Sequence, residues 1–375
     1  MTDNSSIAFV MKEAKEAMPA PITTTGPLAW TRENLFSSPL NTALTILSLI
    51  FLAWMVPGLV QWAFVDAVWV AGSIDECRQL SSDGACWAVI TARFDQFMFG
   101  FYPEDLRWRP ILAFVLLCVA LLPVLWDAVP ARKQLFAFSA VYPLVAFVLL
   151  WGDGWVFQNV SSSDFGGFLL TIIIGVTGIS FSLPLGILLA LGRNSNMPFI
   201  KIICVTFIEF IRGVPLITLL FVASTLLNYF LPPGTSFDLI LRVLIMVTLF
   251  ASAYMAEVIR GGLAALNKGQ YEAADALGLT YWQSMYLIVL PQALKISIPG
   301  IVNTFIGLFK DTTLVSVIGL LDPLGIIQPI LADSTWNGLV VELYVFVGLF
   351  FFAFCFAMSR YSMYLERKLS TGDRH

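Results

Sequence analysis

Among the charged residues inside long apolar runs of this 375-residue chain, Glu209, Arg212, Lys310 and Asp311 could take part in chemistry. Glu209 and Arg212 are three residues apart, so on a helix they share one face and are close enough to pair with each other. Lys310 and Asp311 are adjacent and point to different sides of a helix, so each needs a partner elsewhere. A charge at the centre of a bilayer costs at least about 2.5 kcal/mol, and such residues usually pair or face an aqueous path.

These charges sum to zero, so they could form a closed network or line the route of a zwitterionic solute. Lys310 and Asp311 fall in the middle of their apolar run and are the better candidates for contact with a substrate or for gating. Polar side chains near them fit the same role, but they could equally fix helix packing by hydrogen bonds between helices. The neighbouring polar residues are Asn303, Thr304, Thr312, Thr313 and Ser316.

The sequence gives little support for metal binding, ATP binding or enzymatic activity. The only histidine is His375, which argues against a zinc site or a histidine-based triad, and we expect no metal site. No Gly-x-x-x-x-Gly-Lys-Ser/Thr loop occurs, so we expect neither ATP binding nor enzymatic activity in this chain. Cys77 and Cys86 lie nine residues apart in a polar loop. They could form a disulfide in an oxidising compartment, or remain two free thiols.

The composition indicates a membrane protein. Hydrophobic residues make up 58% of the chain and charged residues 12%, with a mean hydropathy of +0.83; soluble domains carry about 25% charged residues. We predict an all-α polytopic protein with about eight transmembrane helices, because a span needs about 20 apolar residues. The predicted spans are Thr42–Phe64, Ile111–Trp126, Leu135–Trp151, Phe168–Leu191, Ile202–Phe230, Leu239–Ile259, Ile296–Leu320 and Gly338–Met358.

Lysine and arginine predict the orientation. With a cytoplasmic N-terminus, the short outer loops 152–167, 231–238 and 321–337 contain neither residue, which is the positive-inside pattern and makes both termini cytoplasmic. The predicted domains are a cytoplasmic tail (1–40), an extension of three transmembrane helices (41–160) with a long periplasmic loop (66–109), and a core of five transmembrane helices (165–369) with a cytoplasmic loop (260–295).

A polar insert interrupts the apolar core between Gln270 and Pro291, with the sequence QYEAADALGLTYWQSMYLIVLP. Its first half favours a helix, Gly278 ends that helix, and Thr280 with Gln283 forms a capping-box pattern. We therefore predict a helix, a glycine corner and a second helix that runs to a break before Pro291. The insert has no lysine or arginine, which disfavours a helix that merely lies on lipid headgroups.

Seven residues of this insert resemble the EAA loop of the membrane subunits of ATP-binding-cassette (ABC) importers. They are Glu272, Ala273, Ala274, Gly278, Ile288, Leu290 and Pro291. In that family the short helix docks into a cleft on the ATP-hydrolysing subunit, which implies a docking role for Glu272, a turn at Gly278, and close approach at the two alanines. IEFIRGVPLITLLF (208–221) and FKDTTLVSVIG (309–319) resemble the polar amino acid subfamily.

The resemblance covers about 165–369, and the long loop resembles that of the long permease subunits of general L-amino acid uptake systems. It implies a type I ABC importer permease-like core in a bacterial inner membrane, working by alternating access. The implied partners are ATPase subunits that bind ATP and Mg, a homologous second permease, a periplasmic solute-binding protein and an L-amino acid. An ion- or proton-coupled secondary amino acid carrier and a membrane-embedded enzyme are the competing interpretations. The residues expected on the substrate path or its gate are Lys310, Asp311, Glu209, Arg212, Asn303 and Thr312.

Overall fold

The computed structural model describes residues 26–152, 154–226 and 237–370. Most of the predicted tail (1–40) and of the predicted outer loop 231–238 lies outside these residues. The described chain is helical, and its only extended pairings are two isolated bridges, Val68 with Cys86 and Gly100 with Phe165. The predicted all-α membrane fold is confirmed.

The α-helices are numbered in chain order within the described residues. They are α1 (Pro27–Asn34), α2 (Pro39–Val60), α3 (Ile74–Leu80), α4 (Ala88–Ala92), α5 (Phe94–Phe99), α6 (Trp108–Leu125), α7 (Arg132–Trp151), α8 (Gly167–Asn194), α9 (Pro198–Gly213), α10 (Leu216–Phe221), α11 (Leu239–Ala265), α12 (Lys268–Ala276), α13 (Tyr281–Ser284), α14 (Leu290–Asp311), α15 (Ile327–Ala332) and α16 (Val340–Ser370). Short π-helical turns cover Gln61–Val65, Val222–Leu226 and Met285–Val289, and 3₁₀ turns cover Glu104–Leu106, Ser162–Asp164 and Thr312–Ile318.

Seven helical segments in the described chain are long and apolar enough to cross a membrane. The number rises to eight if the bent pair Pro198–Gly213 and Leu216–Thr225 is counted as one further span. The seven are Pro39–Val65, Glu104–Leu125, Arg132–Trp151, Gly167–Asn194, Leu239–Ala265, Tyr281–Ile318 and Val340–Leu369. The predicted span Ile202–Phe230 is the exception, because α9 and α10 meet at an angle of 102°. Pro215 explains the bend, since proline disfavours helical backbone at the residue before it, here Val214.

The chain divides into two compact units: Met1–Ala67 with Asp83–Ala85, and Val68–Ser82 with Cys86–His375. The first contains α1 and α2, and α2 buries none of its side chains. The second contains every other helix, including α6 and α7, which the sequence assigned to the extension. The Tyr142 hydroxyl on α7 donates a 3.0 Å hydrogen bond to the Ala113 carbonyl on α6 and joins these two helices.

Within the second unit, α11 is the central helix and packs against α8 and α14. Glycines permit this close packing. A Cβ at Gly186 of α8 would lie 2.7 Å from Met255 of α11, and one at Gly262 of α11 would lie 2.5 Å from the Ala293 carbonyl of α14. The Arg242 side chain on α11 is buried and donates to the Ser224 carbonyl at 2.6 Å, which fixes the π turn after α10.

We call the short helices α3, α4 and α5 the cap, and the segment 320–342 the outer segment. A disulfide joins Cys77 of the cap to Cys86, just before α4. The cap is tied to the outer segment by an ion pair between Arg93 and Asp333 and by a 2.9 Å hydrogen bond from the Ile74 amide to the Thr335 carbonyl. One apolar cluster contains Cys77 and Cys86 together with α15.

Candidate functional site

The insert folds as a helix, a corner and a second helix, as its sequence predicts. After α12 the Leu279 amide donates to the Ala274 carbonyl at 3.2 Å and the Gly278 amide to the Asp275 carbonyl at 2.9 Å. These two bonds form a Schellman motif, in which the residue after the C-cap needs left-handed backbone. Gly278 has a φ of 72°, which glycine adopts without steric cost.

The second helix begins at the capping box, with the Thr280 hydroxyl and the Gln283 side chain exchanging hydrogen bonds with the backbone. The predicted break before Pro291 is wrong. A π turn at Met285–Val289 joins α13 to α14, and the Leu290 amide bonds to the Met285 carbonyl five residues earlier. The wider turn accommodates proline, which lacks an N–H and clashes with the carbonyl four residues before it.

The insert has an inner and an outer face. Ala274 is fully buried, whereas Glu272, Ala273 and Gly278 are exposed. Ile288 and Leu290 are half-buried and Pro291 is exposed. The Gln292 side chain of α14 connects α14 to α12 and to the π turn. It donates a hydrogen bond to the Gln270 side chain at 3.0 Å and one to the Ile288 carbonyl at 2.9 Å.

Large apolar side chains surround the glycine corner and are uncovered in this chain. Leu277 is 75% exposed, Trp282 67% and Tyr286 77%. Exposed apolar patches of this kind mark interaction sites in soluble proteins. Behind the corner, a pocket of about 360 Å³ separates the insert from the ends of α8 and α11, with Asn194 and Asp275 on its wall.

The charged residues at this end of the core form a network across three helices. Arg193 of α8 lies 2.8 Å from Glu209 of α9 and 3.4 Å from Glu257 of α11. Arg212 lies 3.8 Å from Glu257, and Arg260 bonds to the same carboxylate at 2.5 Å. Glu209 therefore pairs with Arg193 rather than with Arg212, its neighbour three residues along α9.

Glu257 is the centre of this network, and the sequence analysis did not single it out. It contacts all three arginines and holds α8, α9 and α11 together at one end. A signal for it was available, since an acidic residue inside the apolar run of a span is costly enough to indicate a role. Arg212 also lies with its guanidinium 5.7 Å from the Tyr254 ring.

The other candidate residues lie on α14 and at its end. Asn303 and Lys310 are exposed and Asp311 is half-buried. Within the described residues, neither Lys310 nor Asp311 is in an ion pair, so the structure does not bring them to the network at Glu257. Thr312 is buried, and its hydroxyl donates to the Phe309 carbonyl at 2.8 Å. The described residues contain no group of three or more potential metal ligands.

Comparison with known proteins places this architecture in a family. Residues 182–371 match the family described as "Binding-protein-dependent transport system inner membrane component". The chain is 51% identical to the "Glutamate/glutamine/aspartate/asparagine transport system permease protein BztC" of Rhodobacter capsulatus, across 99% of this chain and 100% of the relative. It is 49% identical to the "Inner membrane amino-acid ABC transporter permease protein YhdY" of Escherichia coli, across 94% and 96%.

Among solved structures, the chain is similar to one titled "Crystal structure of an amino acid ABC transporter with histidines". The identity is 30% and the TM-score 0.47, over 53% of this chain and 91% of that one. The predicted resemblance to permeases of the polar amino acid subfamily is confirmed. The chain belongs to the family of binding-protein-dependent transport system inner membrane components, and its close relatives are amino acid ABC transporter permeases.

Proposed function

We propose that this chain is the permease subunit of an ATP-driven importer of L-amino acids, with broad or polar and acidic specificity. The observation that carries the proposal is the insert, whose exposed corner at Gly278 is rigidly built and surrounded by uncovered apolar side chains. A surface of this kind fits a partner protein. The family makes that partner an ATPase subunit, which would hold ATP and Mg because this chain has no phosphate-binding loop.

The remaining partners follow from the family description. A solute-binding protein would deliver the amino acid from the periplasm, and a homologous second permease would complete the transmembrane path, most simply as a heterodimer. We assign the complex to the bacterial inner membrane, with both termini cytoplasmic. The specificity is drawn from the relative whose printed name includes glutamate, glutamine, aspartate and asparagine.

The geometry supports transmission from the insert to the spans. Movement of α12 would pass to α14 through the Gln270–Gln292 hydrogen bond and through the continuous helix across the π turn. The same movement would reach the network at Glu257, since the carbonyl of Val258 accepts a 3.3 Å hydrogen bond from Ser297 of α14. Closure of the ATPase dimer would open the spans outward, and hydrolysis would return them inward.

The test is Gly278→Asp, compared with Gly278→Asn. Asparagine and aspartate both tolerate left-handed backbone, but only aspartate adds a charge to the exposed corner. We expect the aspartate variant to insert into the membrane but to lose ATPase binding and amino acid uptake, and the asparagine variant to keep most of both. Unchanged uptake with Gly278→Asp would refute the docking role.

A second experiment separates this proposal from an ion- or proton-coupled carrier. Vesicles containing the complex should accumulate amino acid only with the solute-binding protein outside and ATP inside. Uptake that follows an ion gradient without any ATPase subunit would favour the carrier. A carrier of this kind has no ATPase subunit, so its mechanism does not explain the exposed corner of the insert.

A further inference from the structure

An apolar cavity of about 210 Å³ lies where α6 and α7 meet α8. Its walls come from the N-terminal part of α6, the C-terminal half of α7, the N-terminal part of α8, and Leu244 near the start of α11. The insert follows the other end of α11, at Ala265. The cavity is therefore in the half of the helical bundle opposite the insert.

The wall of the cavity offers almost nothing to a polar ligand. Among the described residues, none with a charged side chain lines it, and the polar side-chain groups belong to Tyr142, Trp151 and Thr177. The Tyr142 hydroxyl already donates to the Ala113 carbonyl at 3.0 Å. Because a buried water needs about two to four polar partners, apolar cavities of this kind stay dry. Water is therefore a poor occupant.

The cavity opens sideways, toward the surroundings of the spans. Three large apolar residues on its wall are also exposed: Leu144 is 68% exposed, Phe147 55% and Phe181 49%. Leu144 is seven residues before the end of α7, which has 20 residues and so about the length that crosses a bilayer. The opening is thus at the depth of the hydrocarbon region.

The helices touch beside the cavity, so it is a gap in a packed seam. Leu150 of α7 belongs to the same apolar cluster as Leu169 and Ile173 of α8, and all three side chains also line the cavity. A helix with its side chains is about 10 to 12 Å wide, too wide to enter such a space. A single flexible hydrocarbon chain is narrow enough.

We propose that this cavity is a lipid site, which binds one acyl chain of a membrane phospholipid from the leaflet opposite the insert. The bound chain completes the packing between the α6–α7 pair and α8. An unfilled apolar cavity destabilises a protein in proportion to its volume, because the side chains around it lose their contacts. The site goes beyond the proposed function and does not depend on the solute or on the ATPase.

The first test fills the cavity from its wall. Ala146→Phe on α7 places a ring in the space, whereas Ala140→Phe adds the same ring at an exposed position of the same helix that does not line the cavity. Native mass spectrometry of the chain purified in mild detergent measures retained phospholipid. Ala146→Phe should lower the fraction of chains that carry phospholipid at least about tenfold, equivalent to about 1.4 kcal/mol. Equal retention by the two variants would overturn the proposal.

The second test leaves the cavity unfilled and uses Trp151 as a reporter on its wall. The protein is reconstituted with phospholipid brominated on its acyl chains, which quenches tryptophan fluorescence on contact, and is then transferred to lipid-free detergent. The quenching that survives the transfer should be mostly lost in Trp151→Phe. It should persist in the control Trp54→Phe, which replaces a tryptophan of α2 that is 78% exposed. Residual quenching unchanged by Trp151→Phe would contradict a chain bound in this cavity.

A third measurement separates lipid from the other candidate occupant, an apolar side chain of a partner subunit. The phospholipid retained by the chain alone should still be present in the assembled transporter, as measured by native mass spectrometry of the whole complex. Release of this phospholipid on assembly would assign the cavity to a protein contact and overturn the proposal.

Discussion

The Arg193 guanidinium of α8 donates a 2.8 Å hydrogen bond to the Glu209 carboxylate of α9. This pair joins two helices, whereas a pair between Glu209 and Arg212 would have stabilised only one. Because Arg193 also lies 3.4 Å from Glu257, it connects both helices to α11. The ends of three helices near the insert are therefore held by charge, and any movement that separates them must break these contacts.

Glu257→Gln should destabilise the protein. The five charges of the network are Arg193, Arg212 and Arg260 (+3) and Glu209 and Glu257 (−2), so the network carries +1 and the substitution raises it to +2. We expect the free energy of unfolding to fall by about 1 to 3 kcal/mol, since Glu257 is partly exposed and its pairs are screened. Thermal unfolding in detergent measures this.

The control for that substitution is Glu366→Gln on α16, an exposed glutamate with no ion pair among the described residues. It should leave the thermal midpoint unchanged. An equal fall for both variants would mean that the network at Glu257 adds nothing to stability.

Two adjacent glycines of α11 should respond in opposite directions. A Cβ at Gly262 would lie 2.5 Å from the Ala293 carbonyl, a backbone atom that cannot move aside, whereas one at Gly261 meets nothing within 4 Å. Gly262→Ala should therefore cost about 1 to 3 kcal/mol by overpacking. Gly261→Ala should gain up to about 1 kcal/mol of helix propensity. Similar unfolding midpoints for the two variants would contradict the close approach of α11 and α14.

Loss of the Cys77–Cys86 disulfide should loosen the cap. The bond closes a short loop with a sequence separation of 9, for which chain entropy predicts about 2 to 3 kcal/mol. We expect the double variant Cys77→Ser with Cys86→Ser to unfold at a lower temperature. Reductant should lower the midpoint of the unmodified protein to the same value. Cys118→Ser, which replaces an exposed free cysteine, is the control and should remain sensitive to reductant.

Asp322 predicts a dependence of stability on pH. It is fully buried in the outer segment, and within the described structure its Oδ2 atom has no hydrogen-bond partner, while Oδ1 accepts from the Gly325 amide at 2.8 Å. Burial raises the pKa of this carboxyl to about 7, with the amides of Gly325 and Leu324 opposing the shift. The unfolded chain has a pKa of about 3.9.

The pKa of Asp322 is higher in the folded protein than in the unfolded chain. Its contribution to the free energy of unfolding is therefore fully present below about pH 4 and is lost as the pH rises to about 7. The loss is up to about 4 kcal/mol, because each pKa unit corresponds to about 1.4 kcal/mol. Asp322→Asn should flatten this part of the profile of thermal midpoint against pH. Asp333→Asn is a contrasting control, since hydrogen bonds from Thr335 lower the pKa of Asp333 and its contribution is lost only in acid. A profile unchanged by Asp322→Asn would refute the assignment.

Local sequence signals were sufficient for the insert. The helix, the corner at Gly278 and the capping box at Thr280 depend on residues within a few positions of one another, so their pattern predicts their structure. The π turn before Pro291 was not predicted, because a proline in an apolar run is compatible with a break, a kink or a wider turn. The bend at Pro215 was missed for the same reason.

The sequence by itself determined the number of apolar spans, the form of the insert and the family of the chain. Each of these depends on runs of apolar residues or on the spacing of residues that are close together in the chain. The tertiary structure decided which charges meet. Arg193, Glu209 and Glu257 are far apart along the chain and come together only when α8, α9 and α11 pack. It also showed that α14 has a polar side left uncovered beside Lys310, since the covered side of a helix depends on its neighbours and not on its own sequence.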